Sequence, residues 1–319
     1  MMFRIASLLA SGTEIVCALG LRDRLVAISH ECDFPPAVGP LPRVTRTVID
    51  AAASGRAIDE QVRGMCTRGK PLYQIDVKRL ADLRPDVIIT QAQCDVCAVR
   101  FEDVRRAVES TPALNVCRVV ALNPTRLEHL YSDIRAVAVA CNASSAGKSL
   151  VAALQSRVSD AARRAHMVCA ETHRPRVACM EWIDPLMIAA NWMPDLVDLA
   201  GGQCDLTNGG AHSTCTDWSV LRAFDPQVIV VMPCGFDLDR AVAESSSLLG
   251  MPGWPEIAAV REGRVFAVDG NALFNRSGPR MVDSLELLAG LIHGGEMGDF
   301  RAKHSWAWRR LVGAGVAAG

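Results

Sequence analysis

The chain has few aromatic residues, 5% of its 319 positions, and no excess of charge of either sign. With 34 basic and 35 acidic residues the net charge is −1, so no global field draws it to nucleic acid or to an anionic membrane. No run of about 18 apolar residues occurs, which excludes a transmembrane helix and membrane insertion by one. The apolar runs Val87–Ile89 and Val228–Met232 are far shorter and read as buried strands. Flexible Gly/Ser linkers are missing. So are a Gly-x-Ser-x-Gly elbow and a strand followed by Gly-x-Gly-x-x-Gly. Ala146-Gly147-Lys148-Ser149 mimics the end of a phosphate-binding loop, but Asn142 stands where the first glycine is required and no strand precedes it.

Half the residues are hydrophobic, enough for a sizeable core, and the length suggests two domains at roughly 100–200 residues each. Near the N-terminus, Arg4 precedes the apolar run Ile5–Ala10, but the run is too short for a signal peptide and Glu14 follows it closely. The 12 cysteines then read as reduced thiols in a cytoplasmic protein. The alternative is a periplasmic protein whose true start lies upstream. Cys17, Cys141 and Cys179 sit in apolar contexts and read as small core residues.

Short β-rich runs alternate with turns and helical patterns. Arg4–Leu9, Leu25–Ser29, Val87–Thr90 and Val116–Ala121 read as strands in the first half, and Arg176–Glu181, Val228–Met232 and Arg264–Val268 in the second. This grammar predicts parallel α/β sheets. Leu83-Arg84-Pro85-Asp86-Val87 and Phe224-Asp225-Pro226-Gln227-Val228 repeat one unit, a helix end, a proline turn and a buried strand. The expected fold is α/β, with two Rossmann-like lobes joined by a long rigid backbone helix and a ligand cleft between them. The expected domains are an N-terminal lobe over 1–123, a connecting helix over 124–168, a C-terminal lobe over 169–295 and an appended, partly ordered tail over 296–319. A helix of ~40 residues would span roughly 60 Å.

In open parallel sheets ligands bind beyond the carboxyl ends of the strands. The loops there carry Glu31 and Cys32, then Gln91, Gln93, Cys94 and Cys97, then Trp182, His212, Cys234, Asn271 and Phe274. Cys94 and Cys97 form a Cys-x-x-Cys; with Cys32 and Cys234 they make four thiols on strand-end loops. Three readings fit them: reduced thiols, a redox pair, or ligands of a thiolate-bound metal or iron–sulfur cluster. Trp182 and Phe274 suit a large flat ligand as a sandwich, with Gln91, Gln93 and Asn271 bonding its periphery. For His212, a helix cap, a ligand contact, a metal ligand and a satisfied loop histidine all stay open.

Arg4-Ile5-Ala6-Ser7-Leu8-Leu9, Thr13-Glu14-Ile15, Asp33-Phe34-Pro35-Pro36, Leu83–Ile88 and Asp225-Pro226 resemble class III substrate-binding proteins, helical-backbone receptors for cobalamin, haem and ferric siderophores. The likeness runs from about Arg4 to His293. Ser29–Asp33, Gln91–Val99, Met232–Asp237 and Asn271–Arg280 are similar to a subgroup described as cobalamin-binding proteins. The resemblance implies a non-enzymatic carrier, sensor or substrate-binding component whose ligand is cobalamin, another corrinoid or a related metal chelate. It implies that Glu31, Cys32, Gln91, the segment 93–97, Trp182, His212 and the segment 271–274 face that ligand. Three departures stand out. Ala10 replaces a proline, no export signal is present, and Lys78 and Trp218-Ser219 stand where exported receptors offer glutamates to a permease. A lysine facing arginine repels, so docking to an ABC permease is not expected.

Overall fold

The computed structural model describes residues 3–93, 96, 98–312 and 315–316. The chain divides into two compact units: Met1–Pro124 with Glu128–Leu154, and Thr125–Leu127 with Gln155–Gly319.

In the first unit the order is β1 (Ile5–Ser7), α1 (Ala10–Ala18), β2 (Leu25–Ile28), β3 (Thr45–Thr47), α2 (Gly55–Thr67), β4 (Tyr73–Ile75), α3 (Val77–Asp82), β5 (Val87–Gln91), α4 (Phe101–Ser110), β6 (Arg118–Leu122) and α5 (Leu127–Ala140). β2, β1, β5 and β6 form one parallel sheet in that order. Every residue of β5 is buried, as expected of a parallel strand covered on both faces. Ala6, Leu8, Ala27, Leu80, Ile88, Val104 and Leu114 make the core on one side of this sheet. β3 and β4 pair separately as a short antiparallel ladder. α2 is capped by Ser54, whose side chain accepts from Ala57 N–H.

In place of the single helix expected over 124–168 there are two helices. α5 ends at Ala140, and α6 (Ser144–Glu171) begins four residues later. Asn142 takes a left-handed φ of 57°. Ala143 N–H bonds Ala138 C=O and Asn142 N–H bonds Val139 C=O, the double bond pattern that closes a helix behind an αL residue. α6 spans about 42 Å at 1.5 Å per residue; the division between the units falls within it, at Leu154/Gln155. Gly147 has a packing reason. A Cβ there would lie 2.5 Å from the Ala138 Cβ, so the glycine lets α6 close on α5, and the Gly-Lys-Ser likeness to a phosphate loop has no further content.

The second unit continues with β7 (Val177–Trp182), β8 (Met187–Ile188), α7 (Met193–Leu199), β9 (Thr214–Cys215), α8 (Trp218–Phe224), β10 (Val228–Val231), α9 (Leu238–Glu244), α10 (Ala258–Arg261), β11 (Val265–Val268), α11 (Met281–His293), α12 (Gly298–Lys303), β12 (Trp308–Val312) and β13 (Gly315–Val316). β7, β10 and β11 are parallel neighbours with β10 in the middle. Antiparallel strands extend both sides, β8 and β9 beside β7 and β12 beside β11. The expected tail over 296–319 is therefore not an appendage. Trp308 pairs with Val268 and Leu311 with Val265, and the Trp308 ring meets Phe266 edge-on at 5.8 Å. The free edge of β11 is a row of unpaired backbone groups, and the chain end satisfies it.

The repeated proline turns adopt one geometry. Arg84 and Asp225, each just before a proline, have φ of 44° and 45°. In the first, Arg4 C=O accepts from the N–H groups of Asp86 and Val87, and Arg4 Nε donates to Leu83 C=O at 2.8 Å. In the second, Arg176 C=O accepts from Gln227 and Val228, and Arg176 Nε donates to Phe224 C=O at 2.8 Å.

Candidate functional site

The carboxyl edge of the second sheet brings together most of the residues read from that half. β7 and β8 pair Met180 with Ile188 and Trp182 with Met187. Two residues advance on β7 for one on β8, so Glu181 is an extra residue at a bulge, a device that re-aims the side chains beside it. Glu181 accepts a short hydrogen bond from the Ser213 hydroxyl, which itself accepts from Ala190 N–H at 3.0 Å. The Trp182 ring lies 5.2 Å from Phe236, tilted by 58°. The Arg240 guanidinium stands 3.6 Å over the Phe236 ring centre, a cation–π contact.

The loops after β10 and β11 are tied to each other. Asn271 N–H donates to Phe236 C=O at 2.9 Å, and Asn275 Nδ2 donates to Met232 C=O at 2.9 Å. Gly270 permits this approach, because a Cβ there would sit 2.4 Å from Pro233 C=O. Asn271 Oδ1 accepts from Arg276 at 2.9 Å. Arg276 and Arg280 are buried. Burial raises the Asp269 carboxyl; its bond from Ala272 N–H and the charges of the two arginines pull it down.

Phe274 does not belong to this face. It is 1% exposed and its carbonyl accepts from the Trp192 indole at 3.1 Å. A sandwich of Trp182 and Phe274 is therefore ruled out: Phe274 closes the turn Gly270–Phe274 into the core, and Phe236 is the ring beside Trp182. That partner sits in a loop the sequence marks only as the segment following β10. His212 is exposed on the loop before β9, and Cys234 is exposed after β10.

On the first unit, Glu31, Cys32, Gln91 and Gln93 all lie at the carboxyl edge of the β2-β1-β5-β6 sheet. Glu31 is exposed, and its carboxylate lies 3.3 Å from His30 Nε2. His30 Nδ1 meets the Thr45 hydroxyl at 2.7 Å. Gln91, the last residue of β5, is buried; Gln93 is half-buried. Cys94 and Cys97 lie outside the described residues.

The four-thiol metal set is not assembled by the residues that are described. Cys32 is 1% exposed, with its sulfur 3.0 Å from the Thr13 hydroxyl, and neither Cys32 nor Cys234 joins a metal-ligating cluster among the described residues. Burial pushes the Cys17 and Cys141 thiols up to about 11 and the Cys179 thiol well above its ordinary value, which keeps them as inert thiols. The cluster of metal-ligating type that does converge contains no cysteine: Asp283, Glu286 and His304. Arg157 donates to Glu286 at 2.9 Å and lies 2.5 Å from Asp283, while Lys303 and His304 approach the other Glu286 oxygen at 2.6 and 3.1 Å. Burial works to raise the Glu286 carboxyl; bonds from His304, Arg157 and Lys303 outweigh it and hold it well below the usual range.

Among the described residues no helix is long and apolar enough to cross a membrane. A crystal structure of a periplasmic haem-binding protein from Pseudomonas aeruginosa superposes with a TM-score of 0.69 and 21% identity, over 92% of this chain and 93% of that one. The periplasmic vitamin B12-binding protein BtuF of Vibrio cholerae gives 0.64 and 21%, over 91% and 96%. Among curated proteins, the uncharacterized ABC transporter substrate-binding lipoprotein YvrC of Bacillus subtilis is 21% identical over 291 residues, 91% of this chain and 80% of that protein. The cytoplasmic location expected above is overturned, because the matching family and these solved structures are periplasmic. Thiol count and a short apolar run were weak guides to compartment. The family model for periplasmic binding proteins matches residues 5–272, and the chain belongs to that family of substrate-binding, non-catalytic proteins.

Proposed function

We propose that the protein binds a metal chelate, a corrinoid such as cobalamin or a haem or iron complex, and that the carboxyl-edge loops carry the contacts. One observation carries this reading. The half-buried ring of Trp182, backed by the buried Phe236, stands beside a polar group of Asn271, Arg276 and Glu181 at the strand ends of a parallel sheet. Flat apolar surface beside a few placed polar groups is what a large ring with polar substituents requires.

Titration of the purified protein with haemin, dicyanocobinamide and a ferric trihydroxamate, followed by absorbance and tryptophan quenching, tests the reading. Saturable one-to-one binding of at least one is expected; a folded protein that binds none of them ends it.

The relative's description points to an ABC permease as partner. Lys78 is exposed on α3 and Ser219 is exposed at the start of α8, so a permease for this chain would present something other than a matched arginine pair. Direct ligation of a metal by side chains is a second reading, favoured by the convergence of Asp283, Glu286 and His304. Elemental analysis of the purified protein decides it: stoichiometric zinc or iron that Glu286→Gln abolishes supports this reading.

A further inference from the structure

Four tryptophans of this protein treat their indole N–H groups in two ways. Trp192 donates to Phe274 C=O at 3.1 Å, Trp218 to Pro252 C=O at 2.8 Å and Trp308 to Arg301 C=O at 3.2 Å. Each spends its one donor on a backbone carbonyl, as indoles in folded proteins normally do. Trp182 does not. Its Nε1 is buried and has no hydrogen-bond partner among the described residues. Leaving a buried donor unmade is costly, so such a group in a native structure calls for an explanation.

The place supplies one. Trp182 is the last residue of β7, at the carboxyl edge, and follows the bulge residue Glu181. Bulges recur next to functional sites, where they turn a side chain away from the regular ladder. Ser213 holds Glu181, and Phe236 holds the Trp182 ring at 5.2 Å. Phe236 thus packs on the indole while its donor stays unused among the described residues.

We propose that Trp182 is a specificity-determining hydrogen-bond donor: its indole N–H bonds an oxygen acceptor on the rim of the ligand, a carboxylate or a carboxamide oxygen. This rests on the metal-chelate reading above and adds a directional requirement to it. A flat ring alone is insufficient; the ligand must bring an oxygen to the edge of the Trp182 indole. Ligands that differ only in that substituent are then told apart, because a site built around a donor discriminates against a partner that leaves it unpaired.

The test compares wild type, Trp182→Phe and Trp218→Phe with haemin, which carries carboxylates, and dicyanocobinamide, which carries carboxamides. Phenylalanine keeps a ring beside Phe236 and removes the donor. Trp182→Phe is expected to weaken the chelate that binds by about tenfold, equivalent to about 1.4 kcal/mol, without lowering the Tm of the ligand-free protein. Trp218→Phe is expected to leave affinity unchanged. Which chelate loses affinity identifies the acceptor. Equal affinity of Trp182→Phe and wild type overturns the proposal while the metal-chelate reading stands; wild type binding neither chelate overturns both. Should Trp182→Phe fail to fold, the wild-type protein labelled with ¹⁵N-indole decides. One of its six tryptophan N–H signals is expected to move downfield and gain exchange protection at ligand saturation; no such movement refutes the proposal.

Discussion

The two units share a frame and differ at their edges. In each, an arginine at the entry to the first strand, Arg4 or Arg176, pins a left-handed residue before a proline, and the same two backbone bonds carry the chain into the next buried strand. The sheets built on these turns diverge. Among the described residues the first has four strands, all parallel. The second has three parallel strands flanked by antiparallel β8 and β12. Their carboxyl edges diverge further: the first offers Gln91, Gln93, Glu31 and a buried thiol, the second an aromatic pair with arginines. The frame is set by backbone bonding that many sequences satisfy, while each edge depends on a few side chains. Chemistry in such folds resides in the loops rather than in the sheet.

The largest way to break this comparison is at Glu286, whose ion network in the second unit gathers Arg157, Lys303 and His304. Glu286→Ala removes the carboxylate these groups share, leaving Arg157 with Asp283 alone and Lys303 without its partner, and is expected to destabilise the protein by about 3–5 kcal/mol. Urea denaturation followed by near-UV circular dichroism measures it, and a loss under about 1 kcal/mol would show that the network contributes little.

Asp133 on α5 sharpens the comparison from the first unit. Burial pushes its carboxyl up to about 7, against a bond from the Asn123 backbone, and its Oδ2 is buried without a partner among the described residues. A carboxyl raised on folding binds its proton more tightly in the native state. Its stabilising contribution is therefore largest near pH 4 and falls as pH rises to about 7, by about 2–4 kcal/mol at 1.36 kcal/mol per unit. Asp133→Asn is expected to flatten that slope; denaturation midpoints from pH 4 to 8 that decline equally in both proteins contradict it.

The arginine twins give the smallest effect and the most direct check of the shared frame. Arg4→Ala and Arg176→Ala should each cost about 1–3 kcal/mol, and the two losses should match within about 0.5 kcal/mol if the turns are equivalent. A neutral Arg4→Ala beside a damaging Arg176→Ala would dissolve the repeat.

Much of the frame was legible before any coordinates. Val87–Thr90, Leu25–Ser29, Val228–Met232 and Arg264–Val268 coincide with β5, β2, β10 and β11 to within a residue or so, because buried parallel strands are unbroken apolar runs between turn residues. What escaped were elements without such a run. β8 and β9 have two residues each and β3 and β4 have three, too short for any period to register. β12, with two arginines, reads as surface until it is paired with β11. The helix break at Asn142 leaves no decisive local mark, since asparagine is tolerated within helices as well as behind them.

At the candidate site, Glu31, Gln91, Trp182 and Asn271 lie on carboxyl edges, whereas ring partnership does not follow from position. Phe274 and Phe236 both follow strands and both are buried, and only packing sets Phe236 rather than Phe274 beside Trp182. From the sequence alone came the α/β class, the twin turns and the loops that hold chemistry, because hydrophobic period and proline chemistry are local properties of the chain. The tertiary structure alone decided which ring pairs with which, which thiol is buried and which indole N–H is left without an acceptor. Those depend on neighbours distant in sequence, and no local pattern records them.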